Sequence, residues 1–120
     1  MPGKVYAAVL PDDLSSYNED NQLELKVIKE DMLKNHGYYR VRENDMDTSV
    51  ISADCGVFQF IPPEEKDGEW EIRKLLETAA SDAVLIDLDE DGEKELAVLS
   101  PFHGNQISIY KKNNGVFEKV

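Results

Sequence analysis

The stretch Ala83–Ser100 reads AVLIDLDEDGEKELAVLS. Apolar runs of β character stand on both sides of a short segment in which carboxylates alternate with other residues around Gly92. Counted from Asp87, side-chain oxygens fall at positions 1 (Asp87), 3 (Asp89), 5 (Asp91) and 9 (Glu95). Gly92 falls at position 6, and Glu93 at position 7 can offer its backbone carbonyl. A hard cation such as calcium takes about six to eight oxygen ligands. Alternate residues of a tight loop can turn their carboxylates inward, and glycine serves where the backbone must bend sharply with positive φ. The competing description is an ordinary acidic turn, since Asp and Gly are common in surface turns. Against it, convergent carboxylates without a cation repel one another. An EF-hand shares the opening positions but needs a bidentate Glu at position 12 and a helix on each side. Position 12 here is Val98, and the flanks are strand-like. The expected ligand set is therefore Asp87, Asp89, Asp91, the Glu93 carbonyl and Glu95, holding Ca2+ in a structural role between two strands.

Outward from this loop the chain reads as all-β. Val5–Leu10 is a strand ended by Pro11, and PDDLSSYNEDNQ is a turn-rich acidic loop. QLELKVI alternates apolar and polar residues, the period of a half-buried strand. KEDMLKNHG has acids first, Lys34 and His36 late, and Gly37 as a stop, which predicts one or two helical turns. SVISA, VFQFI and EWEIRKL are short, rich in β-branched and aromatic residues, and separated by turn signals at Pro62-Pro63 and Asp67-Gly68. KLLETAA has helical propensity as an alternative to strand. AVLID, ELAVLS, QISIYKK and VFEKV follow at close spacing.

The chain also overlays on itself. At an offset of 48 residues, Asp47 falls on Glu95, Val50 on Val98, Ile51 on Leu99, Ser52 on Ser100 and Gly56 on Gly104. Beyond the shared glycine, both copies run through a strand, a turn ending in Gly (Gly68, Gly115), an aromatic residue (Trp70, Phe117), Glu and a basic residue. A β-rich repeat of this length fits a propeller blade of about four strands. The reading is a partial β-propeller of about two four-stranded antiparallel blades: an N-terminal strand, loop and short helix over 1–34, a first blade over 35–78 and a second, with the calcium loop, over 79–120.

DLDEDGEKELAVLS followed by GNQISIY resembles a blade of the FG-GAP/VCBS repeat family, which is similar to the integrin α-subunit propeller. The resemblance covers Ala79–Val120 best, Thr48–Thr78 less well, and little before that. It implies calcium held by Asp87, Asp89, Asp91, Glu95 and the Glu93 carbonyl. Glu95 stands where the family more often has Asp. In the first copy, YRVRENDMD lacks the carboxylates at positions 1 and 3, so no calcium is expected there.

Composition narrows the partners. The 120 residues are 41% hydrophobic and 32% charged, with a net charge of -12. So acidic a surface repels phosphates and anionic headgroups, which argues against nucleic acid and membrane. No apolar run approaches the ~20 residues of a membrane span. The start lacks the features of a signal peptide, and the single cysteine, Cys55, leaves no internal disulfide; both lean towards a cytoplasmic protein. Full propellers have ~4–8 blades, and GVFEKV ends within a strand-like run. The expected partners are therefore the remaining blades or other copies of the chain, with a protein or glycan ligand held by the loops.

The two histidines each precede a glycine, and Cys55 overlays on His103. One expectation gathers His36, His103 and Cys55 at a central channel, where imidazole and thiolate could bind a metal or act on a substrate. That would make the chain an enzyme of sugar dehydratase or isomerase type, a likeness at fold level only. The plainer expectation, preferred here, is that His36 ends a helix, His103 bonds a neighbouring backbone group, and Cys55 packs as a small apolar residue. Trp70 and Phe117 are expected to pack between blades. The function expected first is a non-catalytic, calcium-stabilised binding scaffold.

Overall fold

Short runs of β-branched and aromatic residues, punctuated by Asn, Asp, Gly and Pro, leave this chain few choices other than antiparallel hairpins. The computed structural model describes residues 3–99 and 106–120. Among these residues ten strands form: β1 (Val5–Ala7), β2 (Lys26–Lys29), β3 (Gly37–Glu43), β4 (Met46–Ala53), β5 (Gly56–Ile61), β6 (Glu71–Leu76), β7 (Asp82–Ile86), β8 (Glu95–Leu99), β9 (Ile107–Asn113) and β10 (Val116–Lys119). They make a two-stranded sheet, β1-β2, and two four-stranded antiparallel meanders, β3-β4-β5-β6 and β7-β8-β9-β10. Among the described residues there is no helix, and so none long and apolar enough to cross a membrane.

Two of the hairpins turn on Asn44-Asp45 (φ 52 and 60) and Asn114-Gly115 (φ 52 and 81). Positive φ at both central residues gives the turn whose twist matches that of the flanking strands. The position in the second meander equivalent to the β3–β4 turn, between β7 and β8, is instead the long acidic loop. The segment YRVRENDMD thus forms β3, a two-residue turn and the start of β4.

The sheets stack in three layers. Residues directly opposite on neighbouring strands share a face. Tyr39, Val50 and Gln59 are opposite one another in the first meander, as are Ile51 and Phe58 on its reverse. The first face, with Val41, Val50 and Val57, packs against Ala83, Leu85, Leu96 and Val98 of the second meander. The reverse face, with Phe58 and Phe60, packs against Val5, Ile28 and Met32 of the N-terminal layer. Covered on both sides, β5 is buried from Gly56 to Phe60, which is why VFQFI reads as a nearly continuous apolar run. The two meanders advance in the same sense: β7 lies against β3 and β4, and β10 against β6. Trp70 packs towards the N-terminal layer and Phe117 towards the first meander, so each aromatic faces the sheet that precedes its own.

Two expectations need correction. KEDMLKNHG is not helical. Asp31 and Lys34 take left-handed φ of 58 and 53, which breaks a helix at each point. Met32, fully buried, is drawn into the core, and its N–H donates to the Gly3 carbonyl (2.8 Å). The segment's propensity yields to that one anchor. KLLETAA follows its strand reading and not the helical alternative, since its first half completes β6. The overlay at 48 residues also reverses a face. Val50 and Val98 meet in one core from opposite sides, so Val98 corresponds in direction to Ile51. A slip of one residue exchanges the faces of a strand.

Candidate metal centre

The acidic loop leaves β7 at Ile86 and returns to β8 at Glu95. Its carboxylates first organise its own backbone. The Gly92 N–H donates to Asp87 Oδ2 (2.9 Å) and the Asp91 N–H to Asp87 Oδ1 (3.1 Å). The Glu93 N–H donates to Asp91 Oδ1 (2.9 Å), and the Leu88 N–H to Glu95 Oε2 (2.7 Å). Such Asx-type bonds tighten a turn because a side-chain oxygen stands in for a backbone acceptor. Gly92 takes φ 94, the left-handed bend that the sequence predicts there.

The outcome is convergence. Asp87, Asp89, Asp91 and Glu95 each offer a carboxylate oxygen, and these oxygens lie within 4.8 Å of one another. Glu93 is not among the converging carboxylates; its expected part was its carbonyl. Asp89 and Asp91 are exposed, while Glu95 is 3% exposed. Its Oε1 is buried without a hydrogen-bond partner. A buried carboxylate oxygen left unbonded is costly, and such groups ordinarily meet a donor or a cation. Among the described residues, no other group of His, Cys, Asp and Glu converges in this way.

A cation from the chain already reaches into the cluster. Lys111 Nζ lies 2.5 Å from Asp89 Oδ2, 2.8 Å from Asp91 Oδ2 and 3.8 Å from Glu95 Oε1. The β8–β9 register, with Leu96 opposite Tyr110, carries Lys111 across from Glu95. The ammonium of Lys111 holds the Asp91 carboxyl below its ordinary range, with the Glu93 N–H adding to the effect. In turn Asp89 and then Asp91 raise the Lys111 ammonium above its ordinary value. Lys111 carries no signal in the sequence. It stands 16 residues beyond Glu95, and only the strand pairing brings it back.

Among the described residues, His36 and Cys55 belong to no converging group of metal-ligating side chains. His36 is exposed, and its N–H donates to the Ser52 carbonyl (3.1 Å). Cys55 contacts the Asp31 carbonyl (3.6 Å) and Met32 Sδ (3.8 Å) and packs beside the N-terminal core. His103 and its expected meeting with these two lie outside the described residues. Tyr17, Pro63 and Trp70 line a shallow groove between the N-terminal segment and the β5–β6 connection. No protein-family model matches the chain, nor does any curated protein or solved structure.

Proposed function

We propose that the chain is a calcium-stabilised propeller module of the FG-GAP/VCBS type, acting as a non-catalytic scaffold for a protein or glycan ligand. The observation that carries this reading is Glu95, a buried carboxylate that converges with three aspartates and keeps one oxygen without a hydrogen-bond partner. The donor set is all oxygen, which suits a hard cation and not zinc or copper. Asp87, Asp89, Asp91 and Glu95 would hold the ion. When bound, it supplies positive charge that cross-links the start and the end of the loop. Asp87 and Asp91 shape the loop through their backbone bonds before any ion arrives, and Glu95 ties its end to Leu88.

The stacking of the two meanders in one sense supports the blade reading, since blades succeed one another face to face around an axis. The outward face of the second meander supports it too. Leu99 is 41% exposed there and Ile107 71%. An apolar face of this kind suits a further sheet, from more blades or from another copy of the chain.

Thermal melting with calcium and with chelator tests the reading. A ligand held only by the folded chain, at a hundred times its dissociation constant, stabilises it by about 2.7 kcal/mol. For a chain of this length that is a rise of roughly 10 °C. Asp89→Ala should remove most of the rise. Identical melting of the unaltered protein in calcium and in chelator would remove the metal assignment.

A further inference from the structure

Lys111 is no part of the ligand set, yet its ammonium stands among the same oxygens. It is within 2.8 Å of carboxylates on both Asp89 and Asp91, and it lies 3.8 Å from the unbonded Oε1 of Glu95. Its position is fixed by the strand and not by chance reach. Lys111 follows Tyr110, the β9 partner of Leu96, so the register carried one residue further sets it against Glu95, the residue that opens β8. Its neighbour Lys112 points to the other face, over the Phe117 ring at 5.5 Å.

From this placement we infer that Lys111 is a tethered counter-ion, which holds the acidic loop together before a cation arrives and which the cation must displace. The inference rests on the reading of the loop as a calcium site, and it adds what sets that site's affinity and selectivity. The electrostatics give the direction. Asp89 and Asp91 cannot both serve the ammonium and turn the same oxygens to an ion. A sodium or potassium ion that displaced Lys111 would exchange one positive charge for another and lose the tether. A calcium ion brings two charges where the lysine brought one. The lysine therefore closes the loop to monovalent ions, weakens its hold on divalent ones, and leaves the β7–β8 hairpin formed at low calcium.

The same geometry predicts what happens to the lysine. On displacement, the ammonium swings from a site with three carboxylates around it into solvent, to which its side chain is already 42% open. It should then behave as an ordinary surface lysine, like Lys119 on β10.

The test pairs calcium titration by calorimetry with quantitative amine labelling of the full chain. Lys111→Met should bind calcium roughly tenfold more tightly than the unaltered protein, the size expected for two half-exposed ammonium–carboxylate contacts. In chelator, Lys111 of the unaltered protein should label more slowly than Lys112 and Lys119, and calcium should bring it to their rate. Equal affinity in both proteins, or labelling of Lys111 that calcium does not change, overturns the displacement while the calcium site stands. Absence of calcium binding by either protein removes the calcium reading, and the displacement with it. Should the variant not fold, labelling of the unaltered protein decides alone.

Discussion

Gly37 is the position where the stacking of the two meanders is most exposed to test. A Cβ built there would lie 2.5 Å from Asp82 Oδ1, 2.7 Å from Asp82 Cα and 3.0 Å from the Ser81 carbonyl. The Cα is backbone and cannot rotate away. It is about 1 Å inside the ~3.5–4.0 Å optimum for two carbons, so in Gly37→Ala the starts of β3 and β7 must separate by a comparable distance. Overpacking of this kind costs about 1–3 kcal/mol. Gly37 does not take positive φ, so alanine is otherwise allowed, and its narrower unfolded ensemble returns about 0.4–1 kcal/mol. The net loss is then about 0.5–2 kcal/mol, read as a lower urea midpoint at unchanged slope. The sign is the decisive feature. If β3 and β7 did not meet, the unfolded-state effect would act alone and Gly37→Ala would stabilise the protein. A variant with a raised midpoint would refute the face-to-face packing at the first strands.

Leu96 is fully buried between the two meanders, and Leu96→Ala should cost about 2–5 kcal/mol in a urea titration, because the covering sheet can only partly collapse into the cavity. Asp45 holds φ 60 in the β3–β4 turn, so Asp45→Gly should raise stability by about 0.5–1 kcal/mol by the same measurement, as glycine enters that region without penalty. Glu95→Gln keeps an acceptor for the Leu88 N–H but removes the buried charge; its melting in chelator should stay within about 1 kcal/mol of the unaltered protein, while most of the calcium-induced rise is lost.

The parts of this molecule that were legible in its sequence are those written locally. VFQFI and SVISA declare β5 and the end of β4 because a strand buried on one or both faces needs only its own side chains to announce it. The acid spacing from Asp87 to Glu95 declares the convergence for the same reason: one loop carries all four carboxylates. What escaped was set by distant partners. KEDMLKNHG carries helix-forming residues and a glycine stop, yet a single buried side chain, Met32, and two left-handed residues decide its path. Neither is visible without the layer that receives Met32. The overlay of Val50 on Val98 fails for a related reason. Both are valines in apolar strands, but the face each presents depends on which neighbouring sheet it meets, and a one-residue slip leaves the composition unchanged while exchanging the faces. Lys111 is the most consequential case. As one half of a Lys-Lys pair it reads as a solvated strand end, and its place among Asp89, Asp91 and Glu95 follows only from the pairing of β8 with β9. A loop's carboxylates can be counted along the chain, but the lysine that pairs with them arrives across the sheet, so the charge balance of such a cluster is a property of the fold even where its acids are a property of the sequence.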